Sequence, residues 1–542
     1  MNNGNAVGTI DLGSPVGYNS NLADRIGTIA GQTGSVTINV LPNAESPTSS
    51  TYLNTGNELE VGANGGRGTL TLSLEGPIVT TLGANAISIG KGTGSIGEVN
   101  LVGTGKDTGV PPEGPLWLDT SCQGCAPVFV SSSLFGGLYI GVDGGAGTLN
   151  LDGAAFTTYD RGEFIVGDGA GSNGAVNILA GGKLGDPPGV NYNSSNINTL
   201  TKGKATVGFD GGTGAITLDG SAAATRNDVP MAFFGQGLVI GNGQNSVGSV
   251  NILSGGKVHS YTDYQIGVIY QNYVDRSALD TNVGINGGTG SITVSGTNSV
   301  WYQSGILQDY LSPWNNSTTS TDTGALRVGG QSGTGELTIA DNGEVRIGTA
   351  TFLAETDDSG GGVYKQLYSL VDHVSNGTLI LGGETTGNGT LSIGGSVGGA
   401  AVAPGRLMAQ TVEFGEGGTG LIRFNHTSDN YIFDQFDAQY LDGPSRPSTL
   451  AIVGDGTIEA AAGRTILNEN QLSFTGTLLP NTGILQINGD ISTATANILA
   501  GGTLEGTGVV GSTLNTGTVA PGQDAGGQSG ARKFYRYFDH RR

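Results

Sequence analysis

The sequence predicts an all-β solenoid in which short strands stack in parallel, rung upon rung. Three observations carry this. Glycine supplies 100 of the 542 residues, far above the usual ~7%. Aliphatic residues recur in pairs at i and i+2, as in Leu326/Val328, Leu337/Ile339 and Val345/Ile347 of "LRVGGQSGTGELTIADNGEVRIG" (326–348). That spacing puts both side chains on one face of a strand. Related units also recur along the chain, and "VNILAGGKL" (176–184) and "VNILSGGKV" (250–258) agree almost letter for letter.

The elements follow in chain order. Residues 1–24 carry no clear copy and read as a poorly ordered start or N-terminal cap. A degenerate unit, "RIGTIAGQTGSVTI", opens the array at 25–38, and clearer copies follow as "LEVGANGGRGTLTL" (59–72), "LYIGVDGGAGTLNL" (138–151) and "ATVGFDGGTGAITL" (205–218). Later copies include "GINGGTGSITV" (284–294), "LILGGETTGNGTLSI" (379–393) and "VEFGEGGTGLIRF" (412–424). Glycines after each pair supply turns that need positive φ or close backbone approach. Strands this short, with unequal corners, fit a solenoid better than hairpins, whose signature is a two-residue turn between longer strands. One rung should take roughly 20–25 residues, with Leu326, Val328, Leu337, Ile339, Val345 and Ile347 all pointing inward.

Between copies the spacing lengthens, which places inserts near 106–137, 185–204, 264–283, 299–325, 351–377 and 427–448. One of them, "GGVYKQLYSLVDHVSNG" (361–377), carries Val363, Leu367, Leu370, Val371 and Val374 at helical spacing. It predicts one short helix near 363–375. The array runs from 25 to 523, and 524–542 form an aberrant basic tail, read as disordered, with five Arg/Lys in 531–542 against the single acid Asp539.

Composition narrows the function classes. Forty-five acidic residues against 23 basic give a net charge of −22, which repels phosphate backbones and argues against nucleic acid as a partner. Four scattered histidines leave little for a metal or a His-based catalytic centre. No apolar run reaches the 18 residues of a membrane helix, and the N-terminus has neither the basic nor the apolar region of a signal peptide.

The stretch "SITVSGTNSVWYQSG" (291–305) followed by "LRVGGQSGTGELTIADNGEV" (326–345) resembles the repeat of passenger domains in bacterial autotransporters, the type V secreted proteins. "GTLEGTGVVGSTLNTGTVAPGQ" (502–523) is similar to the stretch that closes many such passengers. The resemblance implies a right-handed parallel β-helix on a Gram-negative cell surface or outer membrane, or secreted from it. It also implies an adhesin role in virulence, with host-cell glycans or matrix proteins as partners. A signal peptide and a translocator β-barrel belong to the family pattern but are not seen in this sequence. The basic tail suggests an open reading frame truncated by a frameshift near residue 524. Cys122 and Cys125 of "SCQGCAP" are the only cysteines, and in an exported chain they read as a small local disulfide.

No catalytic constellation is visible, and no cofactor or metal is called for. "ETDDSGGG" (355–362) echoes a serine-protease nucleophile loop, but no separate region is long enough for the barrels that deliver a triad. "GTGSIG" (92–97) and "GAGSNG" (169–174) match a dinucleotide fingerprint, yet strand residues follow rather than a helix, so both read as corners. Asp152 and Asp219 fall too late for calcium nonapeptides and read as turns. The candidate ligand contacts are aromatics of the inserts, namely Trp301, Tyr302, Tyr310 and Trp314. Other aromatics, Tyr431, Phe433, Phe436 and Tyr440 among them, can equally seal loops against the solenoid. Two alternatives to adhesion stand: a polysaccharide-degrading enzyme built on corner acids such as Asp143, Asp168 and Asp210, or a purely structural stalk.

Overall fold

The computed structural model describes all residues except 1–5, 13–19, 22–24, 41–49, 55–57, 75–78, 84–85, 104–127, 132–136, 159–162, 186–204, 224–228, 236, 264–279, 308–323, 358–364, 384–385, 439–445 and 523–542. Among the described residues every regular element is a β-strand, and the chain forms two compact units. The first is Met1–Thr281 with Ile306–Asp322 and Ala350–Asp372; the second is Asn282–Gly305, Thr323–Thr349 and His373–Arg542.

In the first unit each rung contributes one strand to each of three parallel sheets. The rung that begins with Glu58–Ala63 in sheet three continues as Arg67–Leu74 in sheet one and Val79–Gly83 in sheet two. The next rung starts at Ala86–Lys91, back in sheet three. Pairing is parallel and in register: Val99 lies over Leu149, Leu149 over Val176, Val176 over Ile216 and Ile216 over Val250. Two positions on, Leu101, Leu151, Ile178, Leu218 and Ile252 form a second column, all fully buried. Each aliphatic pair thus stacks on its counterparts above and below, and one hydrophobic ladder replaces the globular core.

Glycine makes the corner between sheets three and one. Gly90 adopts φ +69°, and a Cβ there would lie 1.8 Å from the Ala146 carbonyl oxygen of the next rung. Gly97 is the second residue of the next strand, Ile96–Gly103, where a Cβ would lie 2.0 Å from the Val61 carbonyl of the rung before. Only a residue without a side chain lets successive rungs approach here. Gly68, Gly97, Gly147, Gly174, Gly214 and Gly248 therefore stand in one column.

In the second unit the rung of Ala325–Gly330, Thr334–Ala340 and the start of Glu344–Asp357 visits sheets three, one and two in turn. Leu326, Val328, Leu337, Ile339, Val345 and Ile347 are all 0% exposed, as their spacing predicts. After Arg406–Met408 the second sheet ends, and a fourth sheet replaces it, built from Tyr431–Ile432, Arg464–Leu467, Ile484–Ile487, Thr503–Gly506 and Thr518–Pro521. A small antiparallel pair, Gln435–Ala438 with Arg446–Thr449, stands beside it.

Three expectations need correction. The helix near 363–375 is absent where described: Lys365–Val374 is a strand beside Glu344–Asp357 in the second sheet. A neighbouring strand's backbone groups outweigh a helical spacing that nothing caps at its start. The rung length is not uniform either: Leu149 to Val176 takes 27 positions, while Leu478 to Ala496 takes 18. The strands of the last rungs are themselves shorter: Thr477–Pro480 and Thr495–Ile498 hold 4 residues each, where Ala146–Asp152 holds 7. Finally, Val300–Leu307 is a regular strand of the second sheet rather than part of an insert.

Candidate functional site

Several of the motifs that could carry chemistry have a definite place in the fold. The two Gly-x-Gly-x-x-Gly stretches are corners, and their serines explain the pattern. Ser95 Oγ accepts a hydrogen bond from Gly65 N at 2.8 Å and donates to the Lys91 carbonyl at 2.7 Å. Ser172 makes the same pair of bonds to Gly144 N and the Asp168 carbonyl, and Ser246 to Gly211 N and the Asn242 carbonyl. All three are buried. One small hydroxyl per corner ties a turn to itself and to the rung before, leaving nothing directed at a phosphate. Asp219 likewise serves a turn, its Oδ1 accepting from Ser221 N at 2.8 Å. Sequence reasoning missed these serines as a set, although "GTGS", "GAGS" and "GQNS" share the position that marks them.

The corner acids of the first unit do come together. Asp143 N donates to the Asp168 carbonyl at 3.0 Å, and Asp210 continues the same corner one rung further. Burial pushes the Asp168 carboxyl up, and the charges of Asp143, Asp210 and Glu163 add to that. Asp143 and Asp210 themselves are exposed, in left-handed turns at φ 54° and 46°. Among the described residues no three His, Cys, Asp or Glu side chains are grouped so as to hold a metal ion.

The aromatics divide. Trp301 is 0% and Tyr302 8% exposed. Trp301 lies over Val345 and points into the core, whereas Tyr302 lies over Arg346, whose guanidinium stands 5.6 Å from the ring centroid. Glu344 accepts from that guanidinium at 2.6 Å. Both rings are buried in a paired strand, Trp301 in the core and Tyr302 beneath Arg346. Tyr310 and Trp314 lie outside the described residues, as do Cys122 and Cys125 and residues 358–362. Phe433 and Phe436 are buried, and Phe433 packs edge-on against Phe424 at 4.9 Å; Tyr440 lies outside the described residues.

What the first unit presents outward is polar and regular. Thr71, Asn100, Asn150, Asn177, Thr217 and Asn251 form one column on the outer side of sheet one. Asn150 Nδ2 donates to Asn100 Oδ1 at 2.7 Å, and Asn177 Nδ2 to Asn150 Oδ1 at 2.8 Å. A parallel column two residues earlier reads Thr69, Glu98, Thr148, Ala175, Ala215 and Ser249. Rungs at about 4.8 Å therefore repeat half-exposed hydroxyls and amides along one face.

No family model matches the chain, and no curated protein does. Among solved structures, the crystal structure of a TibC-catalysed hyper-glycosylated TibA fragment aligns over 96% of this chain and 98% of its own, at 10% identity and a TM-score of 0.23. A superposition that weak bears on neither fold nor function.

Proposed function

We propose that the chain is the passenger of an autotransporter, displayed on or released from a Gram-negative cell surface. In this reading it attaches cells to host or neighbouring-cell surfaces through many weak contacts. The repeat units and closing stretch quoted above support the class. The observation that carries adhesion is the outward ladder of Thr, Asn and Ser on sheet one. Equivalent groups repeated at one spacing suit a partner that is itself repetitive or extended, such as a cell-surface glycan or a matrix protein, since avidity multiplies contacts that are individually weak. Tyr310 and Trp314 are proposed as additional contact residues.

The test is attachment of cells displaying the chain to glycan and matrix-protein arrays. Replacing Asn100, Asn150 and Asn177 by lysine should reduce attachment severalfold while the far-ultraviolet β spectrum stays unchanged. Attachment at the wild-type level would move the contact face elsewhere, and binding to nothing on the array would favour a structural stalk.

A second reading has one observation in its favour. Asp168 lies beside Asp143 and Asp210, and its carboxyl is held up by burial and then by their charges; a raised carboxyl next to others is what an acid–base pair in polysaccharide hydrolysis requires. The exposed corner gives a glycosidic bond little enclosure, which places this reading second. Cleavage of a polysaccharide by the purified chain, lost in Asp168→Asn, would promote it.

A further inference from the structure

His426 stands where the second sheet ends and the fourth begins. It directly follows strand Thr419–Asn425 and is 0% exposed. Its Nε2 is 2.9 Å from Thr465 Oγ1. The ring lies 5.0 Å from that of Tyr431 and 6.3 Å, edge-on, from that of Phe424. Nδ1 is buried without a hydrogen-bond partner of good geometry, although the nearby Ser428 backbone slightly favours the charged form. Little room remains for water on that side: a Cβ on Gly463 would lie 2.4 Å from Nδ1. Burial makes the site favour a neutral imidazole over an imidazolium.

The segment that follows is tied to the strands beside it at separate points, among them Arg464 N donating to the Ser428 carbonyl and Leu450 N to the Asp434 carbonyl, both at 2.9 Å. Thr427 N donates to the Val402 carbonyl at 3.0 Å, and Phe433 N to the Ile466 carbonyl at 3.1 Å. Tyr431 contributes a two-residue strand, its register partner is Thr465, and its hydroxyl donates to the Gly405 carbonyl at 2.9 Å. At the far end the Asp434 carboxylate accepts from Asn468 N at 3.0 Å and Glu469 N at 2.7 Å. Beyond these points the flanking strands Thr419–Asn425 and Arg464–Leu467 are paired in their own sheets.

We propose that His426 and Thr465 form an acid-sensitive latch: protonation of the imidazole releases residues 426–434 while the strands on either side stay paired. Among the described residues, the ionisable groups on the surrounding elements give the new charge no counterion. Tyr431 is neutral, and burial pushes its hydroxyl pKa further up. Arg406 is near enough to act electrostatically on Tyr431 and would repel a second cation. Arg423 is paired with Glu459 at 3.1 Å, and Arg464 with Glu505 at 2.9 Å. Asp429, in the segment itself, makes no described contact with the ring, and Asn425 is neutral, donating to the Gly395 and Gly399 carbonyls.

The sign of the pH dependence follows. Burial lowers the His426 pKa from 6.5 to about 4, so the open state binds the proton more readily than the closed one. The latch is at full strength above pH 6.5 and weakens as the pH falls to about 4, below which it changes no further. One proton makes opening about tenfold more favourable per pH unit across that window. Asp434 acts in the opposite sense. Burial raises its carboxyl, with the Asn468 and Glu469 amides opposing, so acid relieves a buried charge there.

The experiment uses the full chain. The His426 imidazole is titrated by nitrogen NMR, its signal identified by its loss in His426→Gln, and hydrogen exchange at Thr427 and Phe433 is followed from pH 7 to pH 4. The expected result is a ring still neutral at pH 5.5, and exchange at the two amides, corrected for intrinsic rate, that rises more than tenfold by pH 4 while amides of Ile484–Ile487 hold. His426→Gln should abolish that rise, and Asp434→Asn should leave it. A ring titrating near pH 6.5, exchange that does not change, or an equal rise in His426→Gln would overturn the latch. The wild-type titration and the wild-type exchange at Thr427 and Phe433 together decide the matter even if His426→Gln fails to fold.

Discussion

Ile339→Ala measures how much of the fold rests on the stacked ladder. Ile339 is 0% exposed and sits in register between Val294 of the preceding rung and Ile393 of the next. The substitution removes three carbons at about 0.8 kcal/mol each, and a cavity remains between two rungs whose spacing the ladder hydrogen bonds fix. Together these give about 3–4 kcal/mol, within the usual range for large-to-small core changes. Thr293→Ala, on the outward side of the neighbouring strand, should cost no more than about 0.5 kcal/mol. Because stacked repeats need not unfold in one step, the assay is native-state hydrogen exchange at strand Thr334–Ala340 rather than a single melting curve. A loss of 3 kcal/mol appears there as a rise of roughly a hundredfold in exchange. Equal effects from Ile339→Ala and Thr293→Ala would refute the assignment of inward and outward faces.

Other positions make independent predictions. Gly90→Ala should destabilise the first unit by several kcal/mol, seen as a lower urea midpoint, because the added Cβ meets the Ala146 carbonyl at 1.8 Å in a left-handed backbone. Ser172→Ala should cost about 1–3 kcal/mol by stranding the Gly144 amide, and hydrogen exchange at that amide should rise first. Trp301→Phe should remove a blue-shifted, quencher-protected component of the tryptophan emission, since Trp301 is fully buried; an iodide-accessible Trp301 would contradict its place in the core.

The ladder was legible in the sequence because its physics is local. An aliphatic pair at i and i+2 followed by glycine states both the face and the corner, and all six inward residues of 326–348 lie where that rule puts them. Three kinds of feature were not legible. Tryptophan and tyrosine at 301–302 read as insert residues because large aromatics interrupt the Val/Leu/Ile pattern, although the strand is regular. The segment 365–374 carries a helical spacing that only a neighbouring strand overrides. The latch at His426 joins residues 39 positions apart, and a lone histidine beside Asn425 carries no pattern that points to Thr465. The corner acids fall between these cases: their repeat was visible, but that Asp168 is raised by burial and then by its neighbours' charges depends on the stacking.

The central claim is the parallel register of successive rungs, and paired cysteines test it directly. In a background with Cys122 and Cys125 replaced by serine, Thr217→Cys with Asn251→Cys places two thiols on outward-facing register partners of adjacent rungs. At about 4.8 Å between strands they fall within disulfide range. Leu218→Cys with Asn251→Cys, a slip of one residue, puts them on opposite faces of the sheet. Mild oxidation should close an intramolecular disulfide in the first pair and leave free thiols in the second. Closure of the second pair in preference to the first would contradict that register.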